Sequence, residues 1–232
     1  MKQGSASPHP EHLRFATIAT DVAPFTIRDG ELLVRLIAVD RPPHFKDSRG
    51  LPGGLIDPKE TAEEAAVRHL EEKAGIRASK TYIEQLYTFS AIDRDPRGRV
   101  LAVSYLAFVP WEKLSSVEQA DTKSAWWSRI KDARKLAYDH DEMLQVALAR
   151  LRSRVTYTTV IAKLMPKEFT LTELEQAYEA IVKTDLDKRN FRKKILKLNI
   201  IKPLAHKRTG GRFRPAQLYS FVSDKVLEIE TI

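Results

Sequence analysis

Apolar positions in the first half of the chain follow the patterns that are typical of β-strands. Segments 15–27 and 32–39 are rich in Val, Ile, Leu and Thr, and segment 100–109 is almost continuously apolar. Residues 95–99, which precede this last segment, are a turn signal. We expect segment 81–89 to pair with 100–109 as a hairpin.

Two segments in the same half have helical periodicity. In segment 61–74, Ala62, Ala66 and Leu70 recur at i, i+4 and i+8, and Gly75 is a C-terminal stop. A second helix is predicted over 141–152. Strands interleaved with two helices indicate an α/β or α+β sandwich.

The pattern changes after Arg154, where short helices replace the strands. Residues 157–164 predict a short helix that ends near Pro166. The next helix begins at Thr170, which is spaced with Glu173 as a capping box. Its apolar positions form one stripe, made of Leu171, Leu174, Tyr178 and Ile181.

A basic helix follows after a brief connection. Asp187 is a natural N-cap, and Phe191, Ile195 and Leu198 recur at i, i+4 and i+7 on the inward face. The other faces carry the cations Lys188, Arg189, Arg192, Lys193 and Lys197. Two helices that are joined by a few residues, with cations on the outer face of the second helix, predict a helix-turn-helix.

A cation-rich hairpin is predicted next. Strands over 199–206 and 216–222 enclose the turn 207–215, and residues 183–214 carry 12 basic side chains against two acidic ones. Such a hairpin after a basic helix makes a wing that contacts phosphates. The candidate DNA contacts are Thr170, Lys188, Arg189, Asn190, Arg192, Lys193, Lys207, Arg208, Arg212 and Arg214. A winged helix used for protein contacts and an RNA-binding domain stay open as alternatives, although no aromatic-rich stacking strand is visible.

Composition and charge sharpen this division. The chain is 43% hydrophobic and 30% charged, as globular proteins are. Residues 1–150 carry 22 basic and 22 acidic side chains, whereas residues 151–232 carry 17 and 9, which accounts for the whole net charge of +8. A neutral half and a basic half suggest two modules, the second with a polyanionic partner.

Several classes of protein are excluded or disfavoured by the same composition. The absence of cysteine excludes disulfides, thiolate metal sites and cysteine nucleophiles. No apolar run approaches the ~20 residues that cross a bilayer, so no membrane partner is expected. The polar start has no secretory h-region. We expect a cytoplasmic protein with a flexible tail over 1–12.

One spaced motif carries the candidate chemistry. Gly54, Glu60, Arg68, Leu70, Glu72, Gly75 and Ile76 stand in the register G-x5-E-x7-R-E-U-x-E-E-x-G-U, where U is apolar. This pattern resembles the Nudix box. In that family the glutamates of the helix lie on one face and hold Mg²⁺ or Mn²⁺, which activates water at a diphosphate.

The motif departs from the family at the metal-binding positions. These are His69, Glu72 and Lys73, so imidazole and ammonium replace two carboxylates. A hard cation prefers oxygen ligands, and we expect metal-dependent hydrolysis to be crippled. No catalytic residue, no metal site and no required cofactor are therefore predicted, with residual activity with Mg²⁺ or Mn²⁺ left open. The remnant box comprises Gly54, Glu60, Arg68, His69, Glu72 and Lys73.

The pocket itself is expected to persist as a binding site. We hypothesise that Lys73 places its charge where a metal would neutralise a diphosphate; the alternative is that it points to solvent. Arginine suits phosphate because its planar fork donates two hydrogen bonds. Candidate ligand contacts are Arg41, Lys46, Arg49, Arg68, Lys73, Arg94, Arg97 and Arg99.

The combination resembles the Nudix-related transcriptional regulators of the NrtR family along nearly the whole chain. Besides the degenerate box, the matching stretches are 95–100, 138–142, 186–192 and 211–219. The resemblance implies an α+β fold, with a Nudix-like α/β/α sandwich over 13–153 and a winged helix-turn-helix over 154–232.

The same resemblance implies a function. It predicts a homodimeric repressor of NAD-biosynthesis genes that binds a palindromic operator in double-stranded DNA and is released by ADP-ribose or a related NAD-derived nucleotide. Three alternatives stay open: an ADP-ribose pyrophosphatase with an accessory DNA-binding domain, a sugar-responsive regulator of the same architecture, and a Nudix half that only dimerises.

Overall fold

The first part of the chain folds around one mixed sheet. The computed structural model describes residues 16–209 and 215–231. The order of the sheet is β3-β2-β1-β6-β5, with β4 paired to β1 and β7 paired to β2. The strands are β1 (Thr17–Arg28), β2 (Glu31–Arg41), β3 (Phe45–Gly50), β4 (Gly53–Leu55), β5 (Tyr82–Phe89), β6 (Val100–Phe108) and β7 (Ala125–Arg129).

Helices cover both faces of this sheet. Helix α1 (Ala62–Glu72) begins at the capping box of Thr61 and Glu64 and buries Leu70 on one face. A short helix α2 (Ser116–Gln119) follows β6, and α3 (His140–Tyr157) buries Leu148 on the opposite face. The predicted α/β/α sandwich is confirmed.

The last part of the described chain is a winged helix. A 3-10 turn (Thr159–Lys163) leads to α4 (Leu171–Val182), α5 (Lys188–Lys197) and the antiparallel pair β8 (Ile201–Arg208) and β9 (Ala216–Phe221). The rings of Tyr178 and Phe191 meet edge to face at 5.2 Å, which fixes α5 against α4. The predicted helix-turn-helix and hairpin are confirmed.

Helix α3 connects the two parts. Near its end, Arg152 Nε donates to Ile181 O of α4 at 3.0 Å. The apolar residues of α3 and α4 belong to one continuous core that reaches the β1–β6 side of the sheet. The predicted domain boundary between residues 153 and 154 falls inside this continuous helix, and residues 1–12 lie outside the described part.

Some local predictions differ from the structure. The hairpin of 81–89 with 100–109 is confirmed as β5 and β6. The short helix predicted over 157–164 is present as a 3-10 helix over Thr159–Lys163, and it begins later than predicted because Leu151 and Val155 continue the buried stripe of α3 to Tyr157. Strands β3, β4 and β7 were not predicted. No helix among the described residues has the length and apolar content to span a bilayer.

Candidate functional site

A cavity of about 520 Å³ opens where β1, β2, β4 and the start of α3 meet. Four of the predicted ligand contacts line it, namely Arg41, Lys73, Arg94 and Arg97. Two glycines let Asp21 and His140 approach the backbone closely. A Cβ at Gly53 would lie 1.9 Å from Asp21 Oδ1, and one at Gly50 would lie 2.6 Å from His140 Nδ1.

Lys73 belongs to the wall of the cavity. It is the C-cap of α1, is half-buried, and its ammonium donates a hydrogen bond to Gly53 O. A Cβ at Gly54 would lie 2.7 Å from Nζ. Burial lowers the pKa of Lys73, and the nearby carboxylate of Asp21 opposes this shift. The side chain therefore does not point to solvent.

His69 packs against strand β4, as Lys73 does. It is 2% exposed, and its Nε2 lies 3.3 Å from Leu55 O. Burial lowers its pKa, and the charges of Lys73 and Arg68 lower it further. The imidazole is thus held in its neutral form by its surroundings.

These residues do not fit the divalent metal of the Nudix family. A neutral imidazole and an ammonium occupy two of the three positions, and the ammonium already uses Gly53 O. Within residues 16–209 and 215–231, no group of three or more His, Asp or Glu side chains could hold a metal ion. Of the three metal-binding positions, Glu72 alone has an oxygen that could bind a metal, and it lines the cavity.

Arg68 has a different position from the other candidates. Its Nε donates to Glu60 Oε2 at 3.0 Å, and its Nη2 donates to Leu55 O at 3.2 Å. The hydrogen bond from Arg68 lowers the pKa of Glu60 to about 2. This pair ties α1 to the preceding loop, outside the lining of the cavity.

A buried charge network closes one end of the cavity. Arg94, whose side chain is 3% exposed, donates to both oxygens of Asp139 at 2.8 and 2.7 Å and lies 3.6 Å from Asp21. His140 Nδ1 accepts from Leu51 N at 2.9 Å, so its Nε2 faces Asp21 Oδ1 at 3.3 Å as a donor. Arg94 and His140 thereby provide partners for the carboxylates of Asp139 and Asp21.

An aromatic ring lies beside this network. Tyr138 lines the cavity with a left-handed backbone, φ +56°, which costs free energy in a non-glycine residue. The guanidinium of Arg97 is 5.4 Å from the centre of its ring and also donates to Asp95 at 2.9 Å. Strained backbone conformations cluster at active sites and ligand clamps.

The remaining predicted ligand contacts lie apart from the lining. Arg49 donates to Arg134 O at 2.7 Å, and Arg99 donates to the carbonyls of residues 90 and 91 at 2.8 Å. Lys46 is exposed on β3. The sequence prediction missed Asp21, Tyr138 and His140, although the last two belong to the conspicuous stretch 138–142.

The second candidate surface is the outer side of α5. Asp187 caps this helix by accepting from Asn190 N at 2.8 Å. Its five predicted DNA contacts are all exposed, namely Lys188, Arg189, Asn190, Arg192 and Lys193. Such a helix has the size and charge to enter a major groove.

The wing lies next to the start of α4. Lys207 and Arg208 are exposed at the end of β8, and Arg208 forms an ion pair with Glu173. Thr170 caps α4, since Glu173 N donates to its hydroxyl at 3.2 Å. Arg212 and Arg214 lie outside the described residues.

Comparisons with known proteins agree with both halves. The NUDIX domain model matches residues 18–147, and the NrtR DNA-binding winged helix domain model matches residues 161–221. The ADPR responsive transcriptional repressor NtrR of Acinetobacter baylyi is 35% identical over 208 residues, which cover 88% of this chain and 81% of that protein.

Two solved structures are similar as well. Shewanella oneidensis NrtR complexed with a 27mer DNA has a TM-score of 0.76 at 31% identity and covers 88% of this chain and 93% of its own. The NUDIX domain of the same protein complexed with ADP ribose has a TM-score of 0.52 at 31% identity, with 61% and 92% covered.

The fold and the two surfaces define a class of protein: a Nudix domain with a degenerate box, joined to a DNA-binding winged helix. The comparisons narrow this class further. The chain belongs to the NrtR family of Nudix-related transcriptional regulators.

Proposed function

We propose that this protein is a transcriptional repressor of NAD-biosynthesis genes whose Nudix cavity binds ADP-ribose or a closely related NAD-derived nucleotide. The winged helix would bind a palindromic operator as part of a homodimer, in the cytoplasm, and the nucleotide would release it. Relatives described as an ADPR responsive repressor, as bound to DNA and as bound to ADP ribose support the repressor function, the DNA binding and the nucleotide binding.

The observation that carries this proposal is the ammonium of Lys73 on Gly53 O, inside a Nudix cavity. Of the four Lys and Arg side chains of the lining, Arg94 and Arg97 are paired with Asp139 and Asp95. Within the part of the chain that the structure describes, Lys73 and Arg41 form no ion pair. These two cations are available to a diphosphate.

The arrangement suits binding without cleavage. A diphosphate needs cations to compensate its charge, and Lys73 supplies one that cannot activate water as a bound metal does. Tyr138 and the polar side chains of Asp40 and Ser124 line the same cavity. A nucleotide would therefore be held by charge, apolar contact and hydrogen bonds together.

Linkage supplies the decisive experiment. An effector relieves repression only if it binds the DNA-free arrangement more tightly, and operator DNA must then weaken effector binding by the same factor. Calorimetric titration of ADP-ribose with and without operator DNA measures both affinities. Equal affinities would reject the sensor.

Further measurements separate the alternatives. Affinity for duplex DNA is expected to fall by about three orders of magnitude between about 50 and 200 mM salt if six phosphates are contacted. Robust phosphatase-coupled phosphate release from ADP-ribose with Mg²⁺ or Mn²⁺ would make the protein an enzyme. Thermal shift against nucleotides and free pentoses distinguishes a nucleotide sensor from a sugar sensor and from a purely dimerising Nudix half.

A further inference from the structure

A buried carboxylate lies beneath α5, and the function proposed above makes no use of it. Glu175 of α4 is 1% exposed, and its Oε2 has no hydrogen-bond partner among the described residues. Removing a carboxylate from water without a partner costs free energy, and native proteins compensate such groups by nearby charge. The compensating charge therefore has to be identified.

Two cations face this carboxylate, and both belong to α5. Arg192 Nε lies 3.7 Å from Glu175 Oε2, and Lys188 Nζ lies 3.9 Å from Oε1. The other end of the Arg192 guanidinium donates to Thr172 Oγ1 at 3.0 Å. Thr172 and Glu175 are three residues apart on α4 and share one face, so the Arg192 side chain lies along that face.

Four of the six cations of α5 thereby fall into two sets. Lys188 and Arg192, at i and i+4, lie on the side of the helix that faces Glu175; Arg192 is also hydrogen-bonded to α4, and both side chains keep a solvent-exposed part. Arg189 and Lys193 are one residue further on, about 100° around the helix, and are exposed. Neither of these two pairs with a carboxylate in the portion of the chain that is described.

We propose that Glu175 is a positioning residue for sequence recognition. Its buried charge holds Lys188 and Arg192 against α4, so that these two cations engage only a duplex that brings a phosphate or base edge to their fixed positions. Arg189 and Lys193 face outward and bind the backbone of any duplex. This inference rests on the proposed DNA binding and adds to it a source of discrimination.

The first test compares two variants of α4 on two duplexes. One duplex is selected by the wild-type protein from a random-sequence library, and the other is a scrambled duplex of the same length. Glu175→Gln removes the buried charge at nearly constant shape. Glu179→Gln is the matched control, since Glu179 accepts from Leu186 N at 2.9 Å and an amide oxygen can still do so.

Glu175→Gln is expected to bind the scrambled duplex about tenfold more tightly, because two cations become available to phosphates. The slope of log affinity against log salt on that duplex is expected to steepen by about one to two. The ratio of selected to scrambled affinity is expected to fall about tenfold. Glu179→Gln has the same change in net charge and is expected to keep the ratio within about twofold.

The second test leaves Glu175 in place, so it decides even if Glu175→Gln fails to fold. On the scrambled duplex, Arg189→Gln is expected to reduce the salt slope by about one, and Arg192→Gln is expected to leave it unchanged. In the Glu175→Gln background, where that variant folds, Arg192→Gln is expected to reduce the slope by about one as well. Equal slopes for both arginine variants in the otherwise wild-type chain would overturn the proposal.

The outcomes separate this inference from the function on which it rests. A wild-type protein that binds neither duplex at low salt would reject DNA binding itself. A wild-type protein that prefers the selected duplex, with the same ratio in Glu175→Gln, would reject the positioning role alone.

Discussion

Replacing Lys73 by methionine is expected to weaken ADP-ribose binding about 30-fold while the protein stays folded. Lys73 is half-buried in the cavity wall, so its charge acts through a medium of lower effective dielectric constant than water. Two unit charges 4 Å apart interact by about 4 kcal/mol at an effective dielectric constant of ~20. Partial exposure and the Asp21 carboxylate reduce this to about 2 kcal/mol, which is about 30-fold in Kd.

The assay is a calorimetric titration with ADP-ribose at fixed ionic strength, without divalent cations. Lys59→Met is the matched control, because Lys59 is exposed on the loop between β4 and α1 and does not line the cavity. Its affinity is expected to equal that of the wild type. If Lys73→Met binds within about threefold of the wild type and unfolds at the same temperature, the charge of Lys73 does not hold the ligand.

Three further predictions follow from the same geometry. Because burial lowers the pKa of Lys73 from its ordinary value near 10.4, ADP-ribose affinity is expected to fall with rising pH before a free lysine would lose its proton, and in Lys73→Arg to stay constant, as titrations over a pH series would show. Gly53→Ala places a Cβ 1.9 Å from Asp21 Oδ1, so the free energy of unfolding in urea is expected to drop by about 3 kcal/mol; a drop below about 1 kcal/mol would contradict this steric argument. Arg94→Met leaves the carboxylate of Asp139 without its partner, so the free energy of unfolding in urea is expected to drop by about 3 kcal/mol or more. Adding Asp139→Asn is expected to recover part of that loss.

The Nudix half shows which features a sequence reveals. The spacing of the box predicted that His69 and Lys73 would share a helix face, and both side chains contact strand β4. This succeeds because helix geometry is local. The cavity could not be assembled in the same way: Asp21 and His140 meet through sheet register and glycine clearance, which depend on the tertiary fold.

Two of the strands that the sequence did not predict, β3 and β4, lack the apolar pattern that marks a strand. Strand β3 is an edge strand with mostly polar residues, and β4 has three residues, so neither shows an apolar alternation. The basic helix shows a related limit. Periodicity predicted which cations of α5 lie outside, but the restraint on Lys188 and Arg192 comes from Glu175, a charged residue that α4 buries beside its apolar stripe.

A run of contacts joins the cavity to the winged helix. Asp139 and His140 start α3 and belong to the cavity network, and Arg152, which contacts α4, lies about 18 Å further along the same helix. Arg94 lines the cavity and binds Asp139, the N-cap of α3, and His140 of α3 lines the cavity as well. An anionic ligand that accepts hydrogen bonds from Arg94 competes with Asp139 for them. Coupling requires that the ligand bind the DNA-free arrangement more tightly than the DNA-bound one, so a difference in the Arg94–Asp139 contact between those two arrangements would supply it.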